Sequence, residues 1–98
     1  MKIELKKFGV TLTSRQLGKE ALAAFTPSLK QVDKNETVEI IFDGINTLSP
    51  SWADEFLTPL QKEYGDRLFL KNSDNPSVKA TIKMLEDIGK IKYRYRSG

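Results

Sequence analysis

The segment SPSWADE, residues 49–55, holds the side chains with the clearest chemical potential, two serines and two acids. Ser51 would lie in the first turn of a helix, where free backbone N–H groups and the helix dipole stabilise an added phosphate. In the plainer interpretation, Ser49 or Ser51 only caps the helix, which is worth about 1 kcal/mol. Both interpretations require a helix that begins near residue 50.

The two acids of this segment could form an acid–base pair, but their spacing argues against catalysis. Asp54 and Glu55 are adjacent, and adjacent side chains of a helix point about 100° apart, so they do not converge on one substrate atom. A better use for one of them is an ion pair with Arg15, which would join two helices. We therefore predict a structural role for these three residues.

The composition removes many catalytic options. The chain has 98 residues and contains neither cysteine nor histidine, which excludes cysteine nucleophiles, the usual Ser-His-Asp triad and zinc held by histidine or thiolate. The six glycines are scattered, without a phosphate-binding spacing. We predict that the protein is not an enzyme and has no catalytic residues, metal or cofactor.

Two further features of the sequence bear on the cellular compartment of the protein. No apolar run approaches the roughly 18 residues that span a bilayer, and the N-terminal MKIELKK does not resemble a signal peptide. A reducing cytoplasm fits a chain without cysteine. These features favour a cytoplasmic protein without membrane contact.

A loop before the serine segment forms a second candidate site. Asp43 would follow the central strand, at the carboxyl end where open α/β sheets bind ligands, and Asn46 lies in the same loop. Asp43 is also an ordinary turn residue before Gly44. The predicted partner-binding surface is the edge from Asp43 to Ser51.

Basic residues are concentrated at the C-terminus. The net charge is +3, but residues 90–98 hold four cations and no acid, so the rest of the chain has 12 basic and 13 acidic residues. The segment Lys90–Arg96 interleaves Tyr93 and Tyr95 with Lys92, Arg94 and Arg96, a pattern that could bind nucleic acid by stacking and charge. The same pattern describes an edge strand whose tyrosines face the core and whose cations face water.

Strands are predicted where apolar residues alternate or form short runs, over residues 1–7, 10–12, 38–42, 67–71 and 91–96. The first helix begins at Thr13, which forms a capping-box pattern with Gln16, and stops near Phe25 because of Pro27. Gly18 would allow this helix to approach the sheet closely. Its predicted buried stripe consists of Leu17, Ala21, Ala24 and Phe25.

Two further helices begin at Ser49-Pro50 and Asn75-Pro76, where a capping side chain precedes a proline. We expect a bend at Pro59 and helix ends at Gly65 and Gly89. The apolar faces consist of Trp52, Phe56, Leu57, Leu60 and Tyr64 in the second helix and of Val78, Ile82, Leu85 and Ile88 in the third.

The order of elements predicts an α/β fold, because strands that alternate with helices form a largely parallel sheet through right-handed crossovers. We predict one mixed sheet of four to five strands, parallel in its centre, with about three helices. Residues 1–96 would form a single domain, and residues 97 and 98 would fray.

The central unit resembles the STAS-like domains of unassigned function. In that family an apolar strand ending in aspartate and glycine leads to a Ser-x-Ser-aromatic-Ala-Asp-Glu segment, and here Asp43-Gly44 precedes SPSWADEF at residues 49–56. Thr13-Ser14-Arg15 with Gly18 resembles that family's first helix. The resemblance covers residues 10–88 and implies a STAS-like fold for the whole domain.

These domains are similar to the antagonists of anti-sigma factors, in which a serine at the start of the second helix is phosphorylated by a partner kinase. The similarity places Ser51 at that position. The antagonists carry small residues after the serine, whereas this chain has Trp52 and then two acids. The resemblance implies a non-enzymatic regulatory module that binds a protein partner, such as a histidine-kinase-like ATPase. A switch at Ser51 is optional, and a nucleic-acid-binding module using Lys90–Arg96 is the alternative.

Overall fold

The computed structural model describes residues 1–97, and its elements follow the predicted order. The strands are β1 (Lys2–Glu4), β2 (Thr11–Leu12), β3 (Val38–Ile41), β4 (Thr47–Leu48), β5 (Leu68–Lys71) and β6 (Arg94–Arg96). The helices are α1 (Arg15–Leu29), α2 (Pro50–Tyr64) and α3 (Pro76–Gly89). Ser97 accepts a hydrogen bond from the Asn72 side chain (3.3 Å), and the predicted fraying of residue 98 lies outside the described residues.

The predicted α/β class with a parallel centre is confirmed. The main sheet has the order β1-β3-β5-β6, and each neighbouring pair is parallel. Strands β2 and β4 form a separate two-stranded parallel sheet. The strand β4 is an addition to the predicted set. Among the described residues, no helix is long and apolar enough to cross a membrane.

All three helices lie on one face of the main sheet. The chain moves across the sheet in a single direction, and right-handed crossovers in a constant direction return every helix to the same side. Burial agrees, since Ile3, Ile40 and Leu70 are fully buried under the helices. The register places Lys2, Glu39, Phe69 and Arg94 in one row of the opposite, open face, and Glu4, Ile41, Lys71 and Arg96 in the next.

An aromatic cluster joins the helices to the first turn of the chain. Trp52 and Phe56 are fully buried on α2 and stack with ring centroids 5.0 Å apart. Phe8 packs against both rings and meets Phe25 of α1 edge-on at 6.0 Å. Phe8 belongs to a short 3-10 turn, Leu5–Phe8, where the alternating pattern predicted a continuing strand. Leu5 nevertheless stays buried.

Four predictions about helix α1 are wrong. Its N-cap is Ser14, whose hydroxyl accepts a hydrogen bond from the Leu17 N–H, and not Thr13. Leu17 and Ala24 are exposed, and the buried stripe is instead Gly18, Ala21 and Phe25. The helix also continues through Pro27 to Leu29, because Pro27 is exposed and the carbonyl that lacks its N–H partner can face water.

Gly18 serves a contact between helices and not the predicted approach to the sheet. A Cβ atom placed on Gly18 would lie 2.6 Å from the Trp52 carbonyl oxygen and 3.0 Å from its Cα. Real Cβ atoms do not approach a backbone oxygen so closely, so only glycine allows α1 and α2 to pack at this distance. This contact fixes the N-terminal turns of the two helices against each other.

The other two helices begin as predicted, with Ser49 and Asn75 as N-caps. Helix α2 runs through the exposed Pro59 to Tyr64, and Gly65 is its C-cap. In α3, Ile88 is 75% exposed, contrary to prediction, and the buried Thr81 joins Val78, Ile82 and Leu85 on the inner face. Gly89 is the last helical residue, and Lys90 instead takes the left-handed position (φ 53°, ψ 45°).

The Gly18 contact gives a stability prediction. Gly18→Ala forces a methyl group against the Trp52 carbonyl, so we expect the free energy of unfolding to fall by about 1–3 kcal/mol, although alanine favours a helix by about 1 kcal/mol. Urea denaturation followed by circular dichroism measures the change. Gly89→Ala is the matched control, because its Cβ would meet only ordinary contacts from 3.6 Å. Equal stability of Gly18→Ala and the wild type would contradict the close approach.

Candidate functional site

The backbone of the loop after β3 is held to Val10, the residue before β2. The N–H groups of Asn46 and Thr47 both donate to the Val10 carbonyl, at 2.8 and 3.2 Å. Gly44 has φ +84°, a conformation that suits glycine at this turn. The Asp43 carboxylate is exposed and lies 3.5 Å from the Lys71 ammonium. Asp43 and Asn46 thus lie at one rim of the sheet, where the prediction placed them.

The N-terminus of α3 holds the same loop from the other side. The Asn75 amide nitrogen donates to the carbonyls of residues 45 and 46, at 2.7 and 3.2 Å, while its oxygen caps α3. The Ser77 hydroxyl accepts from the Leu48 N–H (2.9 Å) and donates to its carbonyl (3.1 Å). The buried Thr81 hydroxyl also donates to that carbonyl, at 2.6 Å. The loop backbone is therefore held in place by hydrogen bonds from two sides.

Ser49 and Ser51 have different environments. The Ser49 hydroxyl accepts from the Trp52 N–H (3.2 Å) and donates to the Thr13 carbonyl (2.8 Å). It caps α2 and joins the helix start to the segment before α1. Ser51 lies in the first turn of α2 and is half-buried. Because the capping role falls to Ser49, the Ser51 hydroxyl is not needed as the cap.

Arg15 joins α1 to α2 through both acids. One guanidinium nitrogen, Nη1, lies 3.1 Å from Asp54 Oδ2 and 3.0 Å from Glu55 Oε1. The other Asp54 oxygen accepts from the Thr58 hydroxyl at 2.8 Å. The hydrogen bond from Thr58, followed by that from Arg15, lowers the pKa of the Asp54 carboxyl below its ordinary value. The sequence predicted an ion pair with one acid and no convergence of the two carboxylates on one atom. In the structure both carboxylates meet the same Arg15 nitrogen, because the long arginine side chain reaches between them.

Two large apolar side chains are exposed near β2, the strand that pairs with β4 at the end of the loop. Val10, whose carbonyl binds the loop, is 47% exposed. Leu17 on the first turns of α1 is 59% exposed and lines a shallow groove with Thr11, Thr13 and Ala24. Surfaces that contact another protein combine exposed apolar side chains with polar ones. Residues 43–48, Val10 and Leu17 are called the loop surface below.

The structure separates the residues of the predicted nucleic-acid site. Arg94 and Arg96 lie on the open face of the sheet, where Arg94 pairs with Asp66 (3.2 Å) and Arg96 stacks 3.9 Å above the Phe69 ring. Tyr93 is 5% exposed, and burial raises its pKa to about 12. Tyr95 is half-exposed and pairs in register with the core residue Leu70, and Lys92 lies 4.0 Å from Glu86. The tyrosines and arginines do not share one surface.

The sequence pattern does not reveal the residues that hold the loop in place. Asn75 was identified only as a helix cap, and Ser77, Thr81 and Val10 were not assigned to the site. The Asn-Pro pair at residues 75–76 could have indicated a helix that begins near the loop, but not which carbonyls its amide would reach. Among residues 1–97, no group of three or more Asp and Glu side chains is placed to hold a metal ion.

Comparison with known proteins agrees with the geometry. A family model described as a STAS-like domain of unknown function (DUF4325) matches residues 26–78. The matched residues include β3, the loop, α2, β5 and the start of α3. The resemblance inferred from SPSWADEF is confirmed. No curated protein and no solved structure matched the chain.

The lowered pKa of Asp54 gives a pH prediction. A carboxyl whose pKa falls on folding adds stability that is fully present above its ordinary value of 3.8 and is lost as the pH falls through the folded value. We expect wild type to exceed Asp54→Asn in unfolding free energy most clearly above about pH 5, and the difference to shrink towards about pH 2. Urea denaturation across this range measures it.

The control for this series is Glu63→Gln, which changes an exposed carboxylate of α2. It should follow the wild type at every pH. A difference between wild type and Asp54→Asn that stayed constant from neutral to acid pH would show that the ionisation of Asp54 does not contribute.

Proposed function

The chain belongs to the family of STAS-like domains of unknown function, and on that premise we propose that it is a non-enzymatic regulatory module that binds a protein partner. The partner would contact the loop surface and the first turn of α2. The observation that carries this proposal is the exposure of Val10 and Leu17 beside a loop whose backbone is braced from two sides.

The physical support is that this surface is ready to bind without further ordering. A loop held by Val10, Asn75 and Ser77 loses little conformational entropy when a partner contacts it. Leu17 offers an apolar contact, and the exposed polar groups of Asp43 and Asn46 offer specificity at the rim. This combination favours a protein partner over a small substrate.

Phosphorylation of Ser51 is the second part of the proposal. A phosphate would add about −1.5 to −2 charges to the first turn of α2. Asp54 and Glu55 are three and four residues further along the helix, so they lie on the same side as Ser51. The added charge would stand next to two carboxylates that already share Arg15. We propose that this change of potential prevents partner binding.

A partner of the histidine-kinase-like ATPase class and a cytoplasmic location complete the proposal. Support for the partner class comes from the similarity of STAS-like domains to the antagonists of anti-sigma factors, and the cysteine-free composition is compatible with a reducing compartment. The non-enzymatic role is supported by the arrangement of Asp54 and Glu55, whose carboxylates are both occupied by an ion pair with the Arg15 guanidinium.

Nucleic acid is the less favoured partner. A single-strand site needs aromatic faces beside its cations, yet Tyr93 is buried and Tyr95 is on the opposite side of β6 from Arg94 and Arg96. Arg94 is also partly neutralised by Asp66. These contacts suit an edge strand that closes the sheet.

The loop surface gives a prediction about binding. Leu17→Asp places a charge in the apolar part of the loop surface. A partner is first isolated by affinity pulldown with the intact protein from its own cells. We expect the affinity for that partner to fall at least about tenfold, or about 1.4 kcal/mol. Calorimetric titration measures the affinity. Met84→Asp is the matched control, because Met84 is a 47% exposed apolar residue of α3 outside this surface. Equal losses for both variants would contradict the proposed surface.

The switch is tested separately with purified kinases encoded near the gene. We expect intact mass to show one phosphate on the wild type and on Ser49→Ala, and none on Ser51→Ala. Ser49→Ala should lose about 1 kcal/mol of stability because it removes the α2 cap. If none of these kinases modifies the wild type, the proposed switch is wrong. The proposed binding surface is then tested by Leu17→Asp alone.

A further inference from the structure

Strand β6 is an outer edge of the main sheet, and part of its backbone faces outward. Among the described residues it pairs only with β5. The Asn72 N–H donates to the Arg96 carbonyl (2.9 Å), so the backbone groups of Arg94 and Arg96 point towards β5. Because successive residues of a strand direct their N–H and C=O groups to opposite sides, those of Tyr95 point to the open edge. A strand from another chain can pair with them.

The residue before Arg94 shows where this edge is closed. The Tyr93 N–H lies on the same side of the strand as that of Tyr95, and the Glu86 carboxylate of α3 accepts it at 2.8 Å. A carboxylate oxygen therefore already binds the backbone at one end of the edge. The open part of the edge begins at Tyr95.

A cavity lies on the helix side of this open part. Its volume is about 320 Å³, and its lining includes Tyr95 of β6 with Lys79, Lys83 and Glu86 of α3. Tyr95 is 49% exposed. When a peptide adds a strand to a sheet, main-chain hydrogen bonds supply the affinity, and cavities for alternate side chains supply the specificity. The edge of β6 offers both features.

The charge around this edge is positive. Residues 79–97 contain six cations and two acids, and both acids already pair with cations of the same segment. Among residues 1–97, neither Lys79 nor Arg96 has an acidic partner. Lys79 lies on the helix side of the edge and Arg96 on the open face of the sheet. Acidic side chains of an added strand would therefore meet a cation on either face.

The same cations disfavour a second copy of this chain as the added strand. Two β6 strands paired antiparallel about Tyr95 would place Arg94 of each copy directly opposite Arg96 of the other. Like charges in directly opposite positions destabilise strand pairing. A nucleic acid has the required charge, but it cannot form the backbone hydrogen bonds of a strand, and Tyr95 faces away from both arginines.

We propose that β6 accepts an acidic, extended segment of another protein as an added antiparallel strand. The Tyr95 N–H and C=O groups bond to the backbone of the residue opposite, whose side chain fills the cavity. The acidic side chains on either side of that residue lie opposite Arg94 and Arg96. None of these residues belongs to the loop surface, so this inference does not rest on the proposed function.

An NMR titration of the intact protein with the end-capped peptide TEVEVET tests the added strand. We expect saturable shifts of the backbone amides of Arg94, Tyr95 and Arg96, and slower hydrogen exchange of the Tyr95 N–H. The peptide TKVKVKT reverses the charge, and TEPEPET keeps the charge but lacks the N–H groups opposite Tyr95. Both should bind at least about tenfold more weakly.

Three results of this titration would overturn the proposal. The first is the absence of saturable shifts with TEVEVET. The second is equal binding of TEPEPET, which would show attraction by charge without strand pairing. The third is tighter binding of a single-stranded oligothymidylate at the same amides, which would identify a nucleic-acid surface.

Variants locate the charge that the peptide recognises. Arg96→Glu should weaken TEVEVET binding at least about fivefold, because opposite charges on paired strands stabilise the pairing. Lys79→Glu tests the cavity side in the same way and leaves β6 itself intact. Lys19→Glu is the matched control, because it makes the same charge change at an exposed position of α1. Unchanged affinity in either variant of the edge, or an equal loss in Lys19→Glu, would refute the assignment.

Discussion

The contact between Gly18 and the Trp52 backbone is the constraint on which the rest of the structure depends. At the first turns of both helices, α1 and α2 lie so close that a methyl group on residue 18 would not fit between them. Arg15 then reaches both acids of α2, and the Ser49 hydroxyl reaches the segment before α1. The aromatic cluster of Phe8, Phe25, Trp52 and Phe56 fills the space below. The absence of a side chain at Gly18 thus sets the geometry of the candidate site.

The direction in which the chain crosses the sheet has a second consequence. With all helices on one face, the other face is formed by two rows of mainly charged side chains. Parallel sheets usually have both faces covered, and here long side chains such as Arg96 over Phe69 take the place of a second helical layer. The basic C-terminus, which could suggest a nucleic-acid site, contributes to this covering. The same topology leaves the loops at the strand ends available for binding.

The candidate site arises where a strand ends. Residues 43–48 lie between β3 and α2, and their backbone is held by Asn75 and Ser77, which belong to the start of a helix almost thirty residues further along the chain. The residues that position the loop are therefore distant in sequence from the loop itself.

Local patterns in the sequence determined the element order, the starts of α2 and α3, the central strand β3 and the family, because capping, proline placement and apolar runs act over a few residues. They also indicated that Arg15 would meet Asp54 or Glu55. Only the tertiary structure decided which face of α1 is buried, that Gly18 meets a helix, and that Ile88 is exposed. Those outcomes depend on how far one helix lies from another and where a neighbouring element ends. The periodicity of one helix carries no information about its distance to another helix or about where a neighbouring element ends.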